Sequence, residues 1–181
     1  MWTKISAYYP PWLELISPLL LCVVFAYTFS NYPALPEQYP THFGFSGHAD
    51  AWKSKSFWSV NLDLLIGGAV WLLMFFTNYF LVIRPDDPGK YINLPQRDKE
   101  KLGPARLETI RRSGARGMLI ITLTTIAMIS AIHFESVRTA LGLQDKLGIM
   151  IYVFLAVLFV ESIVLITKTA GMSFIPWVRR Y

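Results

Sequence analysis

Four apolar runs, each long enough to cross a bilayer, constrain this chain more than anything else in it. A spanning helix needs roughly 20 mostly apolar residues to cross about 30 Å of hydrocarbon, because in lipid the backbone must satisfy its own hydrogen bonds. The runs cover about 12–29, 57–83, 117–134 and 147–167, far longer than strands. The third is near the short limit, and the second is long enough to tilt. With 54% apolar and 16% charged residues, the chain is too oily to sit in water around one soluble core. The expected fold class is an all-α integral membrane protein, with four transmembrane helices in an antiparallel up-down bundle and a single membrane domain, 1–181. Lys4 precedes the first run as in a secretory signal, but Tyr27-Thr28-Phe29-Ser30 lacks a small-x-small cleavage pattern, which favours a retained anchor.

Orientation follows from charge. Of the 17 Lys and Arg, one precedes the first span, two lie in the loop 31–56, nine in the loop 84–116, two in the third loop and three after the last span. Thirteen therefore fall on one side and four on the other. Basic loops stay in the cytoplasm, so both termini are expected there and the loop 31–56 faces outward. Trp12, Tyr27, Tyr32, Trp52, Trp58, Tyr79 and Trp177 sit at or near the span ends, as an interfacial aromatic belt would. The formal charge of +5 flanks apolar runs, which points to anionic lipids at the basic cytoplasmic loop as the partner and not to nucleic acid. Cys22 is the single cysteine, so an internal disulfide is excluded.

The outward loop carries Pro33, Pro36 and Pro40, which predict an extended first half, then a Ser46-Gly47 turn. Asp50, Ser54 and Ser56 are candidate caps for the second helix. In the loop 84–116, Arg84-Pro85-Asp86-Asp87-Pro88-Gly89 stops the second helix. Pro104 then suits a first helical position, with Leu107, Ile110 and Gly114 on one face opposite Arg106, Glu108, Arg112 and Arg116. A surface helix leading into the third span is expected. The third loop, Glu135 to Lys146, is short enough to make spans three and four an antiparallel pair.

Between the first two spans the order Leu35-Pro36, Pro40, His42-Phe43, Gly47, Asp50, Trp52, Ser54-Lys55 resembles the N-terminal domain of unknown function found in bacterial SdpI-type membrane proteins. The resemblance covers Leu35 to Lys55, with the flanking spans in compatible places. It implies a multi-pass protein of the bacterial cytoplasmic membrane, in a family whose named members confer self-immunity against a secreted peptide toxin. Pro40, His42, Gly47, Asp50, Trp52 and Lys55 are the loop-motif residues it singles out. The Gly-x-Arg-Thr-like segment of those immunity proteins is not found; the sequence after the fourth span ends Ile175-Pro176-Trp177-Val178-Arg179-Arg180-Tyr181.

His42, His48 and Asp50 lie within nine residues, and Asp63 and His133 enter at a similar depth, a donor set of metal-binding type. The spacing matches no known metal motif, so hydrogen bonds that shape the loop are the favoured role and no metal is expected. Lys55 is read as snorkelling to the interface. Glu14, Asp63 and Glu161 are ionisable groups inside spans, where such groups are costly. Glu161 is the deepest, within reach of Glu14, with Arg116 and Lys168 as candidate neighbours. Thr122, Thr124, Thr125, Ser130 and Gly67-Gly68-Ala69 suit close helix packing. No nucleophile-base set, phosphate loop or His-Glu-x-x-His helix is evident, so neither an enzyme nor a cofactor is expected. The leading reading is a non-catalytic membrane protein whose outward loop contacts an envelope ligand in an immunity or sensor-like role. The alternatives are an accessory subunit among other membrane subunits and a small proton or ion carrier using Glu161.

Overall fold

The computed structural model describes residues 1–92 and 94–170. Among these residues, four helices are long and apolar enough to cross a membrane, Pro11–Ala34, Phe57–Ile83, Gln96–Ala140 and Met150–Thr169. The expected helical bundle is therefore present: the first span is longer than its apolar run, the second has the expected bounds, the third is continuous with a polar helix, and the fourth starts at Met150 where 147 was expected. Trp177 and the rest of the tail lie outside the described residues.

A short helix, α1 (Trp2–Ile5), precedes the first span, which opens as a 3-10 turn at Pro11–Leu15 and continues as α2 (Ile16–Asn31). Pro11 suits that opening position, because its missing N–H would have no partner there. The second span is α3 (Phe57–Thr77), ending in a π-helical turn at Asn78–Ile83. Ser56 caps α3: its hydroxyl accepts from the Ser59 N–H, and the Ser59 side chain answers to the Ser56 N–H. Of the three candidate caps, Ser56 holds the position.

The surface helix and third span form one helix, α4 (Gln96–Ala140), interrupted only at Gly103, whose φ of 71° and ψ of 165° are not helical. The helix restarts at Pro104, and Leu107 and Ile110 are buried on the face read from their spacing. The last span is α5 (Met150–Ala170), and α4 with α5 is the most extensive helix pairing. Gly117 permits it: a Cβ there would stand 2.5 Å from Leu165 Cδ1. Gly67 similarly admits Leu21 and Ile129, whereas Gly68 faces open space.

The loop between α2 and α3 departs from the expected all-helical architecture. It forms an antiparallel hairpin of β1 (Gln38–Phe43) and β2 (Ala49–Ser54), with Tyr39 opposite Lys53 and Pro40 opposite Trp52. A two-stranded sheet has only edges, so Pro40 costs it no essential ladder bond.

Apolar clusters close the two ends of the bundle. At the basic end Ile5, Tyr8, Tyr9, Ile83, Ala115 and Leu119 pack together. Arg112 donates to the Ala7 carbonyl and Arg116 to that of Tyr8, while Arg111 donates to Pro85 and pairs with Glu108. Several cations of the basic loop thus hold the chain's own N-terminal segment. At the hairpin end Leu35, Tyr39, Val60 and Val137 form the second cluster.

Candidate binding site beneath the hairpin

The hairpin is fixed at both ends. At its base Lys55 donates to the Leu35 carbonyl at 2.7 Å and lies over the Tyr32 ring at 5.6 Å, so it folds back onto the chain where snorkelling was expected. At its tip Gly47 takes a φ of 82°, a left-handed conformation that glycine adopts at little cost. This turn lets the Gly47 carbonyl accept from Leu147 N–H at 2.9 Å, and the Phe45 carbonyl accepts from the Tyr152 hydroxyl at 2.8 Å. His48 bridges Lys146 in the same docking. The tip is thereby tied to the α4–α5 connection and the start of α5.

Of the motif residues, His42 and Asp50 meet across the hairpin, Nδ1 to Oδ1 at 2.5 Å, both exposed. His48 serves the tip instead, and among the described residues no three His, Cys, Asp or Glu side chains converge as a metal site. Pro40 is fully buried and Trp52 about half exposed. The motif therefore builds and docks the hairpin.

Between the hairpin and the adjoining ends of α3 and α4 lies a groove of about 460 Å³. Tyr39, Phe43, Leu62, Ile66 and Ile132 are among its apolar lining, and Thr41, His42, Lys53, Ser59, Asp63 and Ser136 are its polar lining. Tyr39 is buried, and its hydroxyl has no hydrogen-bond partner. Burial, and then the negative charge of Asp63, push the Tyr39 phenol well above its ordinary value of 10.0, so the ring meets the groove as a neutral hydroxyl.

Beneath the groove the structure brings together three residues from three helices. His133 Nδ1 lies 2.8 and 2.9 Å from the two Asp63 oxygens, and its Nε2 lies 2.7 Å from the Thr28 hydroxyl. His133 is completely buried, whereas the Asp63 side chain keeps 40% of its exposure. Facing a carboxylate, Nδ1 carries the N–H of the neutral ring, which leaves Nε2 to accept from the Thr28 hydroxyl; the Val24 carbonyl, 3.0 Å from that hydroxyl, competes for the same proton. Carboxylate, imidazole and hydroxyl stand in the order of an acyl-transfer set. Thr28 is buried, however, and its hydroxyl also bonds the Val24 carbonyl of its own helix. The set works as a tie between α2, α3 and α4. Asp63 and His133 shared a depth in the sequence; Thr28 and Tyr39 gave no such signal.

The two remaining acids join separate networks. Glu14 accepts from the Tyr9 hydroxyl at 2.6 Å, and Asn78 donates to that same hydroxyl and to the Ala115 carbonyl. Glu161 Oε1 accepts from Thr124 at 2.9 Å, while its Oε2 is buried without a partner. Arg116, considered as a neighbour of Glu161, is turned to Tyr8.

These features define a multi-pass helical membrane protein with a hairpin tied at base and tip over one end of its bundle. Within it, residues 19–66 match the family model described as Domain of unknown function (DUF1648), a domain found in SdpI-type immunity membrane proteins. The match runs from α2 through the hairpin into α3 and includes Thr28, Tyr39, Lys53 and Asp63. No curated protein and no solved structure matches the chain.

Proposed function

We propose that the chain is a non-catalytic protein of a bacterial cytoplasmic membrane that holds an envelope ligand on its hairpin face, with that face outside and both termini inside. The supporting observation is the groove, an apolar cleft under a pinned hairpin with a partly exposed carboxylate and an unpartnered buried hydroxyl on its lining. The excess of basic residues on the opposite side supports the orientation. A role in immunity or sensing is consistent with the company that the matched domain keeps.

The test labels intact cells with a membrane-impermeant maleimide, using Phe45→Cys in a Cys22→Ser background, and places a photo-crosslinking residue at Thr41 on the groove. Labelling without permeabilisation and a discrete Thr41 adduct that Ile66→Trp removes by filling the groove are expected. Labelling only after permeabilisation, or adducts indifferent to Ile66→Trp, would sink the reading.

A further inference from the structure

We propose that the groove beneath the hairpin is a headgroup site for a zwitterionic phospholipid whose cation is a primary ammonium, an assignment that rests on the hairpin face being a binding face. Tyr39 and Lys53 are direct cross-strand partners, so their side chains leave the same face of the hairpin, and both line the groove together with Asp63. No ion pair joins Lys53 to Asp63, although they bear opposite charges on one cleft. A ligand that carries both signs satisfies both ends, where a purely anionic or cationic one would leave an uncompensated repulsion.

The polar lining suits a primary ammonium in particular. Such a group has three N–H donors and no acceptor. Asp63 offers a carboxylate that is 40% exposed. The Tyr39 oxygen is buried without a partner, which is costly to leave so. Ser136 already donates its proton to the Ile132 carbonyl at 2.7 Å, so it meets the groove as an acceptor. A quaternary trimethylammonium has no N–H to give any of them. Lys53 is then the counter-charge for the phosphodiester.

Position and shape point to a lipid as the carrier of that headgroup. The groove sits where α3 enters its span, at the level of a bilayer's head groups. Leu62 and Ile66, one turn apart on α3, line it and remain about half exposed, which continues the cleft as an apolar track for an acyl chain.

Native mass spectrometry of the full chain in mild detergent tests this, with phosphatidylethanolamine, phosphatidylcholine and phosphatidylglycerol of identical acyl chains offered in equal amounts. Retention of phosphatidylethanolamine about tenfold above phosphatidylcholine is expected from the charge-assisted bonds the latter lacks. Tyr39→Phe should cut that preference severalfold. Lys53→Glu, on an exposed strand away from the bundle core, should lower retention of all three lipids. Equal retention of the three lipids, or retention indifferent to Lys53→Glu, overturns the assignment. If that happens while the Thr41 adduct persists in cells, the headgroup fails and the binding face stands; if both are lost, both fail.

Discussion

Replacing Thr28 by Val exchanges a hydroxyl for a methyl of nearly the same size and so isolates one bond of the three-helix tie. In the native background it strands His133 Nε2 inside a ring with no exposure. Stranding a buried polar group costs about 1–3 kcal/mol in soluble proteins. Couplings between membrane helices average about 0.6 and reach about 1.7 kcal/mol, so about 1–1.5 kcal/mol is the expected loss here. His133→Ala should cost more, on the order of 3 kcal/mol, because it also empties a closed site. In that background Thr28→Val should cost almost nothing, since Thr28 keeps only its own-helix bond to Val24. The double variant should therefore be more stable than the summed losses by about 1–1.5 kcal/mol, the size of the Thr28–His133 coupling. Reversible unfolding by steric trapping in bicelles measures all four proteins. Additivity within about 0.5 kcal/mol would refute the tie.

Gly47→Ala forces a side chain into a left-handed conformation and sets its Cβ 3.2 Å from the Leu147 carbonyl, so the hairpin tip should loosen by about 1–2 kcal/mol. Hydrogen exchange of the Leu147 N–H, which bonds Gly47, should accelerate by about tenfold, and unchanged protection would count against the docking. Tyr39 predicts an alkaline effect. Its phenol is raised in the folded state above 10.0, so its stabilisation is complete below about pH 10, the unfolded value, and is lost as pH rises through the folded value. Above pH 10 the wild type should lose stability faster than Tyr39→Phe by up to about 1.4 kcal/mol per pH unit, and parallel profiles would dismiss the effect.

The spans were legible because twenty apolar residues in a row have only one solution in lipid. Ser56 as one of three candidate caps, the Pro104 restart and the buried faces of Leu107 and Ile110 were legible because they follow local rules. Of the hairpin, the extended run at Pro40 and the Ser46-Gly47 turn were legible, but Tyr32–Ala34, expected to be extended, is a 3-10 turn, and β2 with its pairing was not legible. Ala49-Asp50-Ala51-Trp52-Lys53-Ser54 shows no alternation of large apolar and polar residues, and Pro40 argues against a strand by propensity. What holds the strands is docking at Lys55, Gly47 and Phe45, which depends on partners up to about a hundred residues away. The motif residues identified the segment, and hydrogen bonds that shape the loop were the favoured role for His42 and Asp50; these two bond each other across the strands, while His48, outside the motif, forms a docking bridge. Thr28 and Tyr39 were hidden for a different reason: each looks like an ordinary interfacial residue until the helix or strand facing it is known.

The segment matched by the domain model supplies Thr28, Tyr39, Lys53 and Asp63, yet it does not contain what fixes them. His133, which orients Asp63, belongs to α4, and so does Val137, which closes the cluster around Leu35, Tyr39 and Val60. Ile132 and Ser136, on the groove itself, lie on either side of His133 in the same helix. One wall of the groove and the orientation of its carboxylate therefore come from outside the domain. The same hairpin set against a different third span would keep its His42–Asp50 pair and change the cleft beneath. On the proposed binding role, ligand selectivity is thus expected to depend on α4 as well as on Tyr39, Lys53 and Asp63, because the motif residues specify the hairpin's shape while α4 orients the carboxylate and supplies one wall.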